Sequence, residues 1–376
     1  MVARASVLPG IGARVSDRIG VGLLGYAFMG KAHSRAFHEL LRLDPPVVPE
    51  LVSIAGRDAK QVEAARARYG WAEAVTDWRE QVADDRIGLF DNGGPNALHA
   101  EPTIAAARAG KHVLCEKPLG RDAAEAHAIW TAAEEAGVVH MCGFNYRFVP
   151  AVRLARELLE AGELGELFHF RARYLQSWGI DAEPSWRFEK EAAGSGALGD
   201  LGAHIVDLAR YLVGEPVAVT SVVRTFVDGH EVDDAFAATV EFESGVMGTL
   251  EASRLARGRI NQNTFELNGS RGSISFDVER LNELQVADEK SFRRVLVTEP
   301  EHPFMSFWWP PGHIIGWGDT FTHELHHLLT AIAGGGTVAP HGATFEDGYR
   351  CAEVCDAILR AAETGRRETI TYRGRG

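Results

Sequence analysis

The stretch Ile19-Gly20-Val21-Gly22-Leu23-Leu24, followed at once by Gly25-Tyr26-Ala27-Phe28-Met29-Gly30, decides the fold. A short apolar, strand-like run enters a glycine-rich turn, and a helical pattern follows. Doubly wound parallel sheets use this order to aim backbone N–H groups and a helix N-terminus at a dinucleotide pyrophosphate. Gly25 permits the tight turn, and Gly30 lets helix and strand approach closely. Ala27 stands where the second glycine of the usual G-x-G-x-x-G spacing belongs, so its methyl lengthens the approach to the pyrophosphate. Gly25, Ala27, Phe28, Met29 and Gly30 are therefore candidate contacts to NAD or NADP. The strand–turn–helix context gives the motif its weight, because isolated glycine turns are common.

Working outward, the chain up to residue 143 alternates strand and helix. Strand candidates are 19–25, 50–56, 87–91, 112–115 and 138–142, with helical spacing over 58–69, 102–109 and 122–136 between them. This cadence predicts parallel βαβ units with right-handed crossovers. The tip of the second strand carries no acid to hold a ribose 2′-hydroxyl. Arg57 follows it and suits a 2′-phosphate, which tilts the cofactor expectation toward NADP; Asp58 reads as a helix cap. After the apolar run His112–Cys115 comes Glu116-Lys117-Pro118, a lysine at the sheet edge where ligands of such folds bind.

The pattern changes near Pro150. A helix over 151–161, an extended run over 166–178 and a helix over 196–213 lead into β-rich segments at 217–227, 232–243, 246–255, 262–268, 272–278 and 281–287. Helices over 320–333 and 344–362 finish the chain. The expected fold class is α/β, with a Rossmann doubly wound parallel sheet over 18–143. An α+β domain with a large, mostly antiparallel open sheet is expected over 144–376.

The 376 residues suffice for two cores, and 45% hydrophobic with 24% charged residues is ordinary soluble, globular usage. A net charge of −13 argues against a general nucleic-acid binder, which needs a basic face. No apolar run approaches the roughly 20 residues that span a bilayer. Residues 1–17 lack an apolar core and read as a loose extension rather than a signal peptide. Cys115, Cys142, Cys351 and Cys355 are too few for a disulfide framework and read as core residues of a cytoplasmic protein.

Downstream, Gly196-Ala197-Leu198-Gly199-Asp200-Leu201-Gly202-Ala203-His204 opens a helix. Asp200 and His204 are four apart on one expected face, where a carboxylate can orient a histidine and keep it poised as a base. Gly199 and Gly202 leave room for a ligand beside them.

The order of glycine-rich turn, Glu-Lys-Pro and Gly-x-Leu-x-Asp-x-Gly-x-His resembles the Gfo/Idh/MocA (glucose–fructose oxidoreductase / inositol dehydrogenase) family over nearly the whole chain. Pro95-Asn96-Ala97-Leu98-His99, Gly143-Phe144-Asn145-Tyr146-Arg147-Phe148 and Trp186-Arg187-Phe188 support the resemblance. The runs 28–34 and 178–188 resemble the anhydrosugar and glycoside dehydrogenases of that family. The resemblance implies Lys117 near nicotinamide and substrate, with Asp200 and His204 opposite. It extends the cofactor contacts to Pro95, Asn96, His99, Glu116 and Lys117. Asn145, Tyr146, Arg173, Trp186 and Arg187 would line a carbohydrate or cyclitol site with Lys117, Asp200 and His204. The implied chemistry is oxidation of a secondary alcohol to a ketone, or the reverse, with His204 or Lys117 as the base. Gly94 departs from the threonine usual before this proline. The resemblance also implies a homodimer or homotetramer built through the large sheet.

Two other readings compete. His323-Glu324-Leu325-His326-His327 satisfies H-E-x-x-H, with His323 and His327 as zinc ligands, Glu324 as base and Glu346 or Glu353 as third ligand of a metallohydrolase. A catalytically silent NAD(P) sensor would keep the cofactor site alone, against which Lys117, Asp200 and His204 argue. Finally, 302–319 is unusually aromatic. Trp308, Trp309 and Trp317 are expected to fold over the active site or into a subunit contact.

Overall fold

Six parallel strands order the first sheet as β3-β2-β1-β4-β5-β6 in the computed structural model, which describes residues 18–374. The expectation for residues 1–17 lies outside the described residues. The strands are β1 Arg18–Leu24, β2 Val48–Ala55, β3 Glu73–Val75, β4 Ile87–Asn92, β5 His112–Glu116 and β6 His140–Gly143. Between them run α1 Phe28–Leu40, α2 Ala59–Tyr69, α3 Trp78–Ala83, α4 Ala100–Arg108 and α5 Ala123–Ala136. Side-chain caps start three of these helices: Asp58, Asp77 and Asp122 each accept first-turn amides. The short β3 has too few residues to show a period. Strand order reverses between β1 and β4, so their carboxyl ends open the crevice where this architecture binds ligands.

The second sheet has nine strands in the order β14-β13-β12-β11-β7-β10-β9-β8-β15. They are β7 Leu167–Leu175, β8 Pro216–Arg224, β9 Ala235–Phe242, β10 Met247–Ser253, β11 Gln262–Gly269, β12 Ser273–Asp277, β13 Glu283–Ala287, β14 Phe292–Leu296 and β15 Glu368–Thr369. Pairing is antiparallel except where β7 inserts between β11 and β10 and runs parallel to β10. Along β7, Phe170, Ala172 and Tyr174 are buried while Arg171 and Arg173 are exposed, the alternation of a sheet with one covered face.

The remaining helices are α6 Pro150–Glu160, α7 Lys190–Ala193, α8 Ala203–Leu212, α9 Asp319–Gly334 and α10 Phe345–Thr364. Every residue of α8 is buried. Apolar packing is continuous from β5 and α5 through α8 and α10 to the inner face of the large sheet. A second cluster joins Phe37 and Leu40 of α1 to Phe321, Leu325 and Leu328 of α9. Each such fully buried side chain stabilises the fold by about 1.5–3 kcal/mol. Helix α9 therefore packs against α1 and β6, while α10 joins α5 and β6 to β8 of the second sheet. Arg147, just beyond β6, makes a two-pronged contact with Asp207 of α8 at 2.8 and 2.6 Å, which fixes α8 beneath the strand ends. The four cysteines are buried free thiols.

Candidate active site

Gly25 has φ +105°, and a Cβ there would stand 2.5 Å from the Gly93 carbonyl. A Cβ on Gly30 would stand 2.3 Å from the Gly25 carbonyl. Only glycine fits at either place, so β1, the turn and α1 close on one another. The first intrahelical bond is Lys31 N–H to Ala27 O at 3.0 Å, which leaves the amides before it without helical acceptors. Ala27 and Phe28 are exposed at this tip. A glycine cradle with free amides and no carboxylate in the turn fits a dinucleotide pyrophosphate. Arg57 is exposed beyond β2, and the Tyr26 ring lies over Gly56, where a Cβ would come within 2.2 Å of it.

Lys117 stands at the end of β5, its side chain mostly covered. Its Nζ donates to the Asp200 carbonyl at 2.9 Å and to Asp200 Oδ1 at 3.2 Å. The other carboxylate oxygen accepts from Arg254 Nη2 at 3.1 Å. Burial opposes ionisation of Asp200, but the Lys117, Arg254 and Arg187 cations outweigh it and hold the carboxyl well below its ordinary range. His204 is buried in an aromatic box, with ring centroids of Tyr146 at 4.8 Å, Tyr174 at 5.7 Å and Phe144 at 6.1 Å. Burial, and then the Lys117 charge, push its pKa well below the usual imidazole value, against the smaller pull of Asp200. The imidazole is therefore neutral at neutral pH and able to accept a proton.

Asp200 and His204 meet Lys117 together, but Asp200 does not hydrogen-bond His204. Leu198–Gly202 forms a π-turn, in which the Ala203 amide reaches back to Leu198 O, so residues four apart no longer stack. Both Asp200 oxygens go to cations, and His204 Nδ1 has no partner.

Around this centre a hydrogen-bond chain forms a polar wall. Tyr146 and Tyr174 hydroxyls are 2.9 Å apart, Tyr174 donates to Asn261 Oδ1 at 2.7 Å, and Gln176 Nε2 donates to the same oxygen at 2.6 Å. Trp178 Nε1 then donates to Gln176 Oε1 at 2.6 Å, and Arg254 lies over the Trp178 ring at 4.8 Å. Arg187 stacks on Trp186 at 4.6 Å.

The other expected site residues make the following contacts. Arg173 points to the outer face of β7, opposite Glu251 and Thr264; Tyr174, one residue on, faces His204. The Glu116 carboxylate turns into the core, where Oε1 lies 3.1 Å from His33 Nε2 and Oε2 accepts the Lys117 amide at 3.1 Å. Both nitrogens of His99 face carbonyls, Pro118 O at 2.7 Å and Gly94 O at 3.0 Å, so this ring ties two loops together. Asn96 donates to Ala193 O at 2.9 Å, and Asn145 to Thr320 Oγ1 at 2.9 Å. Pro95 begins the short 3-10 turn after β4, and Gly94 N–H donates to Asn92 Oδ1 at 3.2 Å. Arg254, Tyr174, Gln176 and Asn261 line the same centre and are residues that the sequence reading did not single out. The signal was present for Arg254: Gly248, Leu250 and Ala252 are the buried positions of β10, and the same period carries an arginine inward.

The H-E-x-x-H segment does not converge. His323 Nδ1 donates to Phe148 O at 2.9 Å, and its Nε2 accepts from Trp308 Nε1 at 2.7 Å. Burial pushes His323 down to about 4. His327 Nε2 donates to Val338 O at 2.7 Å. Glu346 and Glu353 pair with Arg350 and Arg360. Among the described residues no three histidine, cysteine or carboxylate side chains are placed to hold a metal, which removes the metallohydrolase reading. The aromatic segment divides. Trp308 packs on His323, Trp309 is 61% exposed, and Trp317 stacks on Phe28 of the glycine-rich turn at 5.6 Å.

Comparison with known proteins agrees with this geometry. Residues 19–144 match the oxidoreductase family with an NAD-binding Rossmann fold, and 152–275 match the GFO/IDH/MocA C-terminal domain. Levoglucosan dehydrogenase of Pseudarthrobacter phenanthrenivorans is 42% identical over 380 residues, covering 92% of this chain and 96% of that protein. Inositol 2-dehydrogenase of Rhizobium meliloti is 27% identical over 355 residues, covering 93% and 98%. Levoglucosan dehydrogenase solved with NADH and levoglucosan superposes with a TM-score of 0.91 at 42% identity, covering 94% of this chain and 99% of that one. Fold, sheet order and full-length likeness agree, and the chain belongs to the Gfo/Idh/MocA oxidoreductase family.

Proposed function

We propose that this NAD(P)-dependent sugar or cyclitol dehydrogenase oxidises a secondary hydroxyl of an anhydrosugar or pyranoside, with His204 taking the hydroxyl proton and Lys117 stabilising the alkoxide. The observation that carries this reading is a lysine ammonium held on Asp200 at 2.9 and 3.2 Å beside a buried neutral imidazole. Two of the three Lys117 N–H bonds point at Asp200, and the third is left for the reacting oxygen. A fixed cation at developing negative charge lowers the barrier without reorganisation. Ionised Asp200 keeps the ammonium in place and partly balances Arg254 and Arg187. A bound nicotinamide supplies the carbon that accepts the hydride. Neutral His204 is the better candidate for base, because Lys117 is already committed as a cation between two Asp200 oxygens.

The wall Tyr146–Tyr174–Asn261–Gln176 offers hydroxyl and amide partners, and Trp178 and Trp186 offer flat faces for sugar C–H groups. The 42% identity to a levoglucosan dehydrogenase supports an anhydrosugar among the substrates. Arg57, with no acid at the β2 tip, supports acceptance of NADP; an Arg57→Ala variant is expected to lose NADP affinity and keep NAD. The outer sheet face exposes Met247, Val222 and Phe292 among Arg171, Glu266 and Glu241, which supports pairing with a second copy; sedimentation of the purified protein tests this.

The deciding experiment is calorimetric titration with NAD and NADP, followed by turnover on levoglucosan, methyl glucosides and myo-inositol. Saturable binding of a cofactor with turnover of the first two substrates is expected. No cofactor binding would remove the reading altogether, and turnover of myo-inositol alone would move the substrate to the cyclitols.

A further inference from the structure

A charged cluster beneath the active site is used by none of the steps above. His33, on the second turn of α1, is fully buried and sits between two carboxylates. Its Nδ1 is 2.9 and 3.0 Å from the Asp91 oxygens at β4, and its Nε2 is 3.1 Å from Glu116 Oε1 at β5. Neither nitrogen faces a donor. With both carboxylates ionised, the doubly protonated ring hydrogen-bonds both ways, whereas a neutral ring would set a lone pair against one of them. The second oxygen of Glu116 accepts the backbone N–H of Lys117 at 3.1 Å. Gly143 of β6 backs the carboxylate, where a Cβ would come within 2.9 Å of Oε1. From α9, the Phe321 ring lies 5.5 Å from the imidazole, and Glu324 is buried nearby with neither oxygen hydrogen-bonded.

We propose that His33 is a positioning residue for Lys117, acting through the Glu116 carboxylate; the proposal rests on the reading of Lys117 as the cation at the reacting oxygen. The chain of contacts is short and directed. It leaves α1, whose N-terminus forms the cofactor turn, crosses the imidazole to Glu116, and ends on the backbone of Lys117. Lys117 then reaches Asp200. Glu116 divides its two oxygens between these tasks, so the place of the lysine at the strand end follows the place of the imidazole. Burial, and then the neighbouring Glu116 carboxylate, push the Glu324 pKa well above its ordinary value and disfavour a third negative charge beside the cluster. This gives the glutamate of the H-E-x-x-H segment a place: it flanks His33, while the two histidines of the motif point to other contacts.

The test is His33→Gln, which reaches only one carboxylate, assayed with the best substrate of the panel above. The expected kcat is about 10- to 100-fold lower, the cost of a catalytic group misplaced by a fraction of an ångström to an ångström. Cofactor affinity by calorimetry should stay within about threefold, because the glycine-rich turn is untouched. The kinetic isotope effect from a C-deuterated sugar should rise as the chemical step becomes slower. A double variant His33→Gln/Glu116→Ala should lose no more than the worse single one, since both cut the same chain. Wild-type kcat in folded, cofactor-binding His33→Gln overturns the proposal, and so do additive losses in the double variant. If His33→Gln fails to fold, Glu116→Ala carries the same expectation and the same refutation. Full activity in Lys117→Ala would instead remove the underlying reading of the lysine. An inactive Lys117→Ala beside a fully active His33→Gln would overturn this inference alone.

Discussion

Replacing Arg254 with methionine tests how the site holds its charges. The guanidinium is 1% exposed and donates to Asp200 Oδ2 at 3.1 Å and to the Arg187 carbonyl at 3.2 Å. At an effective dielectric of about 20, an ion contact at 3.1 Å is worth about 5 kcal/mol of gross attraction. Most of that is cancelled by desolvation, and a charged hydrogen bond contributes a net of about 1.5–3 kcal/mol. If that contact holds Asp200 in place under Lys117, its loss lowers kcat/KM for the sugar by about 10- to 150-fold. Methionine keeps the packing against Trp178 but not the charged hydrogen bonds, so the melting temperature should fall by only about a few degrees. NAD affinity should stay unchanged, because Arg254 follows β10, away from the glycine-rich turn. A second signature is in pH. Asp200 is held low by Lys117, Arg254 and Arg187, so its contribution is present above the ordinary carboxylate pKa and lost as pH falls through the depressed one. Removing one cation raises that lower value, so acid unfolding of the variant should begin at higher pH than in the wild type. The assays are steady-state kinetics with varied sugar at saturating cofactor, and unfolding followed as pH is lowered. Wild-type kcat/KM with an unmoved acid unfolding would refute the reasoning, because Asp200 would then need no second cation.

Other expectations follow from the same geometry. Lys117→Ala should lower kcat by about 10²–10³-fold while cofactor affinity by calorimetry persists; full turnover would sink the electrostatic role. His204→Asn should cost about 10²–10⁴-fold in kcat. In the wild-type enzyme the oxidation rate should fall only as pH drops through the depressed His204 value, well below the usual imidazole range, and a limb near that usual range would contradict the neutral, buried imidazole. Arg147→Met leaves Asp207 buried without its partner at 2.6 Å, so unfolding in urea should show a loss of about 3–5 kcal/mol; an unchanged midpoint would mean that Asp207 finds a new donor.

Where a regular period sets both backbone and side-chain direction, the sequence was enough. The predicted strands up to residue 143 and those between Pro216 and 287 match observed ones to within a few residues, because each shows repeats of its own period, whereas the short strands β3, β14 and β15 were not singled out. Three departures follow, one from strand parity and two from a contact or distortion that no period encodes. In β7 the choice between Arg173 and Tyr174 is a matter of parity; the expected ligand Arg173 lies on the outer face, and the buried set Phe170, Ala172 and Tyr174 turns towards His204. Asp200 and His204 are four apart, which predicts a contact in an α-helix, but the π-turn at Leu198–Gly202 separates them and hands Asp200 to Lys117 and Arg254. Glycines at 199 and 202 were the visible hint of irregular backbone there. The H-E-x-x-H spacing likewise specifies a helix face, which α9 provides, but not what lies opposite that face. Phe148 and Trp308 lie opposite His323, and the His33 cluster lies near Glu324. Spacing along one element therefore identified groups able to do chemistry, and the partners arriving from other elements decided where each of them points. On that argument the residue to examine beside any motif lysine is the one holding its backbone, and here that is Glu116, set by an imidazole 83 positions earlier in the chain.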